Sequence, residues 1–404
     1  MARLSKEFRE MSSPKIWKQL WQPVESSLET LMDQTRANYY SKHFFGQHHL
    51  KALVFFHLTD GQSLEDLHQS LSDDLHFKAL TRCPSISKSQ LSRANAKRPL
   101  EAFEQVFLKL VEQLPASTKL PKPLQALMSH TRIFDGTFFT LNPAHSPWAI
   151  YRHQFQKPDA GLRMTLRLDL RTQAPDQVFI HPYRDNSANY FSNCLDFDSK
   201  GYLYLFDREF TDHKIFQRIC DSENFFLTRM KEKARYEILQ THSTPHRPRY
   251  GLKILKDQSI RLGGKSKYRI ASCLRRIEAE DLAGNVLVFL TNLFTYAAST
   301  LAELYRFRWQ IETFFKWIKQ HLKIKRFIAY SMRGIMLQIY SALILYLLLV
   351  LFRINQRISL SLFNLLRKFK NRMNTISPIF VLNLKLLEPS RTLIKQALLP
   401  LPSF

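Results

Sequence analysis

Apolar and polar positions change rhythm several times along the chain. Over residues 15–114 the spacing is helical. Residues 21–32 predict a helix, with Pro23 tolerable in its first turn. Residues 47–56 are apolar from Leu50 onward. Ser63 then predicts an N-cap for the helix SLEDLHQSL, with Asp66 as its capping-box partner. Beyond Cys83-Pro84, Ser85 or Ser87 caps a short helix through Ala96, Pro99 interrupts it, and residues 100–114 form a longer one. Short helices bearing Ser, Lys, Arg and Asn suit contact with a nucleic-acid backbone, and equally suit a bundle with a solvated charged face.

After the Pro-rich stretch at 116–123, a candidate linker, the rhythm shortens. Residues 129–134 predict a strand ending at Asp135-Gly136-Thr137, with 138–141 again extended. Residues 162–170, 177–181 and 224–229 predict further strands. YLYLF at 202–206 is a fully apolar strand ending at Asp207, with a helix following through Cys220. Strands and helices in alternation predict an α/β core on a mixed sheet. Residues 236–284 are basic and rich in turn signals, with short strands at 252–255 and 268–274, and read as a β-rich insertion. Residues 285–291 return to the main sheet, and Ser299 opens a helix through 319.

That helix carries LYRFRWQIETFFKWIK. At about 100° per residue, Tyr305, Arg308, Glu312 and Lys319 share a sector of about 60° beside an apolar stripe that includes Leu304, Ile311 and Phe315. One acid flanked by two cations and a phenol suits a metal ion and a phosphate backbone. An amphipathic helix with ordinary surface charges has the same pattern. Lys316 and Lys323 lie near the cluster on the wheel, and Trp309 about 70° from its centre.

Composition narrows the partner. The chain has 404 residues, 59 Lys and Arg against 34 Asp and Glu, and a formal charge of +25. Such an excess favours a polyanion, either nucleic acid or an anionic membrane surface. Cys83, Cys194, Cys220 and Cys273 form no CxxC pair, so a disulfide framework or zinc ribbon is disfavoured and a reducing cytoplasm is expected. The opening residues lead into no apolar signal segment. Residues 335–352 approach membrane-spanning length, yet contain Gln338, Tyr340, Ser341 and Tyr346; a central helix buried by protein accounts for them equally.

Asp135 and Asp207 at strand ends and Glu312 on a packed helix could converge at the crevice of an α/β sheet. Three such carboxylates repel one another unless a cation neutralises them, and their oxygens suit Mg²⁺ or Mn²⁺. A strand-ending Asp is often only a turn or helix cap. Asp169, Asp185, Asp196, Asp198, Asp212 and Asp221 are rivals.

Y-x2-R-x3-E-x6-K at Tyr305, Arg308, Glu312 and Lys319 resembles the signature of the insertion-sequence-4 type of bacterial transposases. The surrounding LAELYRFRWQIETFFKWIKQHLKIKRF, the preceding Thr291-Asn292-Leu293, Asp135 in IFDGTFF and Asp207 in YLYLFDREFTD are similar as well. So are FHLTDGQSLEDLHQSL and SQLSRANAKRPLEAFEQVF near the N-terminus. The likeness spans roughly residues 45–350. It implies an RNase H-like catalytic core (residues 121–235 and 285–352) with a β-rich insertion (236–284). A helical N-terminal DNA-binding domain (1–120) would precede it and a basic helical region (353–404) follow.

The resemblance also implies a DDE-type enzyme of cut-and-paste DNA transposition. It would bind terminal inverted repeats, act on target DNA, and work as a homodimer in the synaptic complex, in the cytoplasm with the nucleoid and away from membranes. Asp135, Asp207 and Glu312 would hold two Mg²⁺ or Mn²⁺ ions. Tyr305, Arg308, Trp309, Lys316, Lys319 and Lys323 would contact DNA. In such enzymes the freed 3′ end can attack the opposite strand to form a hairpin. Many relatives carry Lys, an apolar residue and His in the strand after the first Asp; here Arg163 keeps the charge and Thr165 replaces the imidazole. A transposase-derived repressor without catalysis is the alternative reading.

Overall fold

The computed structural model describes residues 13–59, 62–73, 78, 81–116, 125, 127, 130–154, 157–183, 187–244, 248, 251–263, 269–322, 324 and 326–373. Lys323, Asp185 and the candidate linker beyond residue 116 lie outside them. Among the described residues the helices are α1 (Ser13–Trp21), α2 (Glu25–Gln34), α3 (Gly46–Leu58), α4 (Leu64–Asp73), α5 (Lys88–Lys97), α6 (Glu101–Val111), α7 (Ser187–Ser192), α8 (His213–Asp221), α9 (Ala298–Arg306), α10 (Trp309–His321), α11 (Met332–Asn355) and α12 (Leu362–Met373). The strands are β1 (Thr131–Leu141), β2 (Ile150–Gln154), β3 (Lys157–Asp169), β4 (Ala174–Pro182), β5 (Leu203–Phe206), β6 (Phe225–Arg229), β7 (Tyr236–Thr241), β8 (Leu252–Leu262), β9 (Leu274–Asp281) and β10 (Val286–Thr291). The chain forms two compact units, residues 1–118, 140–148 and 314–404 in one, 119–139 and 149–313 in the other. The division falls inside α10, leaving Glu312 in the second unit and Lys316 and Lys319 in the first.

The first unit is helical. Its centre is α11, long and apolar enough to cross a membrane but 94% buried by protein over its most apolar window. Helices α1, α3, α5, α6 and α12 pack on it. Its polar residues have protein partners. Gln338 donates to the Arg326 carbonyl and accepts from the Ile328 N–H, both at 2.9 Å. Tyr340 donates to Glu104 at 3.0 Å, and the Ser341 hydroxyl lies 3.0 Å from His57 Nε2. Tyr346 meets Phe314 and Trp317 edge-on.

Local signals set the ends of the shorter helices. Ser63 and Asp66 form the expected reciprocal cap, each bond 3.1 Å. Ser87 and Gln90 do the same for α5, at 3.2 and 2.9 Å. The helix expected over 21–32 is instead two. Because α1 is already under way at Ser13, Pro23 would fall in a helix interior, where its ring clashes and its N–H is missing. The chain turns there, with the Val24 N–H on the Trp21 carbonyl at 3.0 Å, and restarts at Glu25. Between α2 and α3 a loop is tied to the end of α5 by buried Arg98. Its guanidinium donates to the Ala37 carbonyl, to Ser41 Oγ at 3.0 Å and to the Phe44 carbonyl at 2.8 Å.

The second unit is a mixed α/β fold on one ten-stranded sheet, in the order β2-β3-β1-β5-β6-β10-β9-β8-β7 with β4 paired to β3. Strands β1, β5 and β6 are parallel, and β6, β10, β9, β8 and β7 continue antiparallel. The expected strand end at Asp135 is not there. β1 runs unbroken through Asp135-Gly136 to Leu141, because Gly136 serves packing rather than a turn, as shown below. β8 is longer than the expected 252–255, and β9 begins only at Leu274. Both edges of the long β8 find partners in β7 and β9, so its pairing carries it past Leu255 to Leu262.

Arg98→Ala deprives the buried Ala37 and Phe44 carbonyls of their donor. It is expected to cost about 2–4 kcal/mol, read as a lowered thermal unfolding midpoint of the full chain. Arg98→Lys should recover little of this, since one ammonium cannot span three acceptors as the guanidinium fork does.

Candidate active site

In the parallel pair β1 and β5, Thr131 lies opposite Leu203 and Phe134 opposite Phe206. The residue after each of Phe134 and Phe206 is an aspartate, Asp135 and Asp207, so the register carries the two acids to neighbouring positions. Phe134 and Phe206 are buried in one apolar core with Phe216 and Phe226. Side-chain alternation turns Asp135 to the opposite face. Asp207 continues extended beyond β5 and makes no cap bond with its own side chain.

The approach to the third acid is locked by side chains. Thr291 Oγ1 donates to the Phe226 carbonyl at 2.5 Å. Asn292 donates to the Asn224 carbonyl at 2.8 Å and accepts from the Phe226 N–H at 2.9 Å. Buried Arg275, held on both Asp257 oxygens at 2.7 and 2.8 Å, donates to the Tyr296 carbonyl at 2.7 Å. The start of α9 is thereby set against the sheet.

A single regular helix was expected through Glu312. The structure instead interposes a tightened turn between α9 and α10. The N–H groups of Phe307, Arg308 and Ile311 bond three residues back, at 3.1, 3.0 and 3.2 Å. Positions on either side therefore do not share one 100° wheel, and Glu312 sits in the first turn of α10 rather than deep in a helix. The turn buries Arg308. Its Nη1 donates to Asp135 Oδ2 at 3.0 Å and its Nη2 to Glu312 Oε1 at 2.5 Å. It also lies 5.5 Å over the ring of Tyr305, which is buried against Phe289.

Electrostatics follow from this crowding. Burial pushes the Asp135 carboxyl up to about 6; Arg308 and the Gly136 N–H oppose the rise, while Glu312 and Asp207 add to it. Burial alone would lower the Arg308 pKa, but Tyr305, Asp135, Glu312 and Asp207 more than offset it and raise it. Burial raises the Tyr305 phenol. Among the described residues, no three His, Cys, Asp or Glu side chains stand close enough together to hold a metal ion as they are. The neutralising charge here is Arg308.

A second arginine lies beside the residues that follow two of the acids. Buried Arg163, on β3, donates to Glu209 at 2.9 Å and lies 5.0 Å over the Phe210 ring, both just beyond Asp207. A Cβ on Gly136 would stand 2.8 Å from Arg163 Nε. Gly136 thus makes room for the guanidinium beside Asp135. The glycine after the first acid was visible in the sequence; its relation to Arg163 was not, since the two are brought together only by the sheet.

Most rival aspartates have structural tasks. Asp169 pairs with Arg132 and Arg171, Asp212 caps α8 at the Lys214 N–H, and Asp196 accepts from the Asp198 and Ser199 N–H groups. Asp221 accepts from Gln217. Arg208, beside Asp207, pairs with Glu232 at the surface. Trp309 is 50% exposed. Lys316 is exposed and Lys319 half-buried on α10.

Residues 128–348 match the family model described as transposase DDE domain. The chain is 29% identical over 259 residues to a putative transposase, y4zB, of Sinorhizobium fredii, covering 64% of this chain and 69% of that one. It is 24% identical over 297 residues to a putative transposase for insertion sequence element IS4SA of Synechocystis, covering 72% and 79%. A piggyBac transposase synaptic complex with hairpin DNA aligns with 98% of this chain and 87% of its own, at 12% identity and a TM-score of 0.44. That likeness is too distant to bear on the site.

Asp135 is expected to titrate near 6 in carbon-detected NMR of protein freed of divalent cations. Arg308→Gln should move the midpoint up and Glu312→Gln should move it down. Since the folded carboxyl binds its proton more readily than the usual 3.8 allows, its contribution to stability falls as pH rises from about 4 to about 6 and is level above. Gly136→Ala must displace Arg163. It is expected to cost about 1–3 kcal/mol in denaturant unfolding.

Proposed function

The chain belongs to the transposase DDE domain family, and on that footing we propose that it is an insertion-sequence-4 type DNA transposase. It would cut at the terminal inverted repeats of its element and join the ends to target DNA. The observation that carries this reading is the shared guanidinium: Arg308 bonds both Asp135 and Glu312, while Asp207 continues the strand beside Asp135. The three acids come from separate parts of the sequence, and each lies within electrostatic reach of Arg308. We read the sheet as an RNase H-like core, with strands β7 to β9 as its β-rich insertion.

The donor chemistry fits hard divalent cations. All three groups are carboxylates; burial raises the Asp135 pKa, Glu312 and Asp207 add to the rise, and a single guanidinium stands among the three acids. Asp135, Asp207 and Glu312 would hold Mg²⁺ or Mn²⁺, two ions in this reading, which when bound supply activation of a water or 3′-hydroxyl and stabilise the leaving oxygen.

The chain's own residues do the rest. Arg308 exchanges part of its carboxylate contact for a phosphate oxygen. Tyr305, packed beneath it, restricts the guanidinium's orientation. Arg163 keeps the segments after Asp135 and Asp207 in register. Trp309 stacks on DNA, and Lys316, Lys319 and Lys323 follow its backbone. The protein acts as a homodimer on paired ends, in the cytoplasm.

The test is metal-dependent cleavage of a duplex carrying the inverted repeat that flanks the gene. Wild-type protein should nick it in Mg²⁺ and not in chelator. Glu312→Gln and Asp207→Asn should bind the duplex as well as wild type and reduce nicking to background. Binding without nicking by the wild type would instead mark a transposase-derived repressor.

A further inference from the structure

A groove of about 840 Å³ opens in the first unit between the loop joining α2 to α3 and the side of α5. Arg36, Lys42 and His43 stand on one lip and Arg93 and Lys97 on the other; no acidic residue is among those lining it. All five are exposed. None of its four exposed Lys and Arg is in an ion pair among the described residues, whereas Lys51, Lys88 and Lys109 elsewhere in the unit each pair with a glutamate. Lys and Arg side chains left unpaired around a concave surface concentrate positive potential there.

The loop also holds out two large aromatic side chains. Tyr39 is 71% and Tyr40 93% exposed, packed edge-on at 4.6 Å. Exposing both costs apolar surface, and the loop does not sag to bury them because it is pinned. Arg98 takes the Ala37 and Phe44 carbonyls from beneath, and Asn38 donates to Asp33 at 2.7 Å and accepts from the Gly46 N–H at 2.6 Å. Arg98 stays charged at neutral pH although burial lowers its pKa to about 10. Across the groove, α5 carries the small exposed residues Ser89, Ser92 and Ala96 around Arg93 and Lys97. A helix of that profile can approach closely within a DNA major groove.

We propose that this groove seats one sugar–phosphate strand of a DNA duplex, with α5 along the major groove, Arg93 at a base edge, and Tyr39 and Tyr40 against the flanking sugars. This rests on the transposase reading and names where that enzyme recognises its DNA away from the acids. Arg36, Lys42 and Lys97 then contribute affinity without sequence preference, and Arg93 contributes discrimination.

The full chain is titrated by fluorescence anisotropy with two duplexes of equal length. One carries the inverted repeat flanking the gene; the other has the same bases scrambled. Salt is varied from about 50 to 200 mM. Arg36→Gln with Lys42→Gln should weaken both duplexes alike and reduce the slope of log affinity against log salt by about one per charge removed. Arg93→Gln should weaken the repeat duplex about 10- to 100-fold more than the scrambled one. Tyr39→Ala with Tyr40→Ala should weaken both and leave the salt slope unchanged. All are surface changes, and unaltered thermal midpoints confirm folding. If wild-type protein cleaves the repeat duplex while the groove variants bind as wild type does, the groove assignment fails and the transposase reading stands. If the wild type neither binds nor cleaves, both fail.

Discussion

Asp135 is buried with the half-buried Glu312 beside it, and the positive charge between the two carboxylates is Arg308. At about 4 Å and an effective dielectric near 20, like charges repel by roughly 4 kcal/mol, a large part of a domain's net stability. The guanidinium converts that repulsion into two short ion-paired hydrogen bonds, to Asp135 and to Glu312. It does so from a turn between helices, where its backbone is held by the carbonyl of Tyr305. The acids, the turn and the packing of Tyr305 under the guanidinium form one mutually dependent arrangement.

Much of the second unit keeps that arrangement in place. Thr291 and Asn292, which from sequence look like part of a chemical motif, bond the backbone of Asn224 and Phe226 at β6 instead. Arg275 uses its charge on Asp257 and on carbonyls leading into α9. Arg163 spans from the Gly136 side to Glu209. Arg275 and Arg163 of a strongly basic chain are thus committed to internal architecture, whereas the cations around the helical groove have no ion-pair partner among the described residues. Net charge cannot make that distinction; burial and ion pairing can.

The family match describes the chemistry available to such a chain, and the geometry suggests how this chain prepares for it. Arg308 supplies positive charge that opposes the rise of the Asp135 pKa, which burial first, and then Glu312 and Asp207, push up to about 6. The guanidinium itself holds Asp135 and Glu312 together. The same economy is visible in the helical unit, where buried Arg98 shapes a loop and leaves Arg36 and Lys42 exposed.

Features set by local chemistry are legible in the order of residues alone. Ser63 with Asp66 announces a helix start because the cap is complete within four residues; of Ser85 and Ser87, both open in the sequence, the structure takes Ser87, with Gln90 as its partner. YLYLF is a strand because a short, wholly apolar run fits a buried sheet position. The expectation that Asp135, Asp207 and Glu312 form one site came from the residues around them rather than from spacing. Tertiary structure decided the rest, because it depends on partners far apart in the chain. Pro23 divides a helix since α1 starts earlier than its pattern suggests. β1 passes straight through Asp135, and Gly136 is needed by Arg163 on another strand. The wheel placed Arg308 and Glu312 on one smooth face, but the turn at Phe307 and Arg308 buries the arginine. An arginine 173 residues beyond Asp135 becomes its counterion only when the sheet and α9 bring them to 3.0 Å.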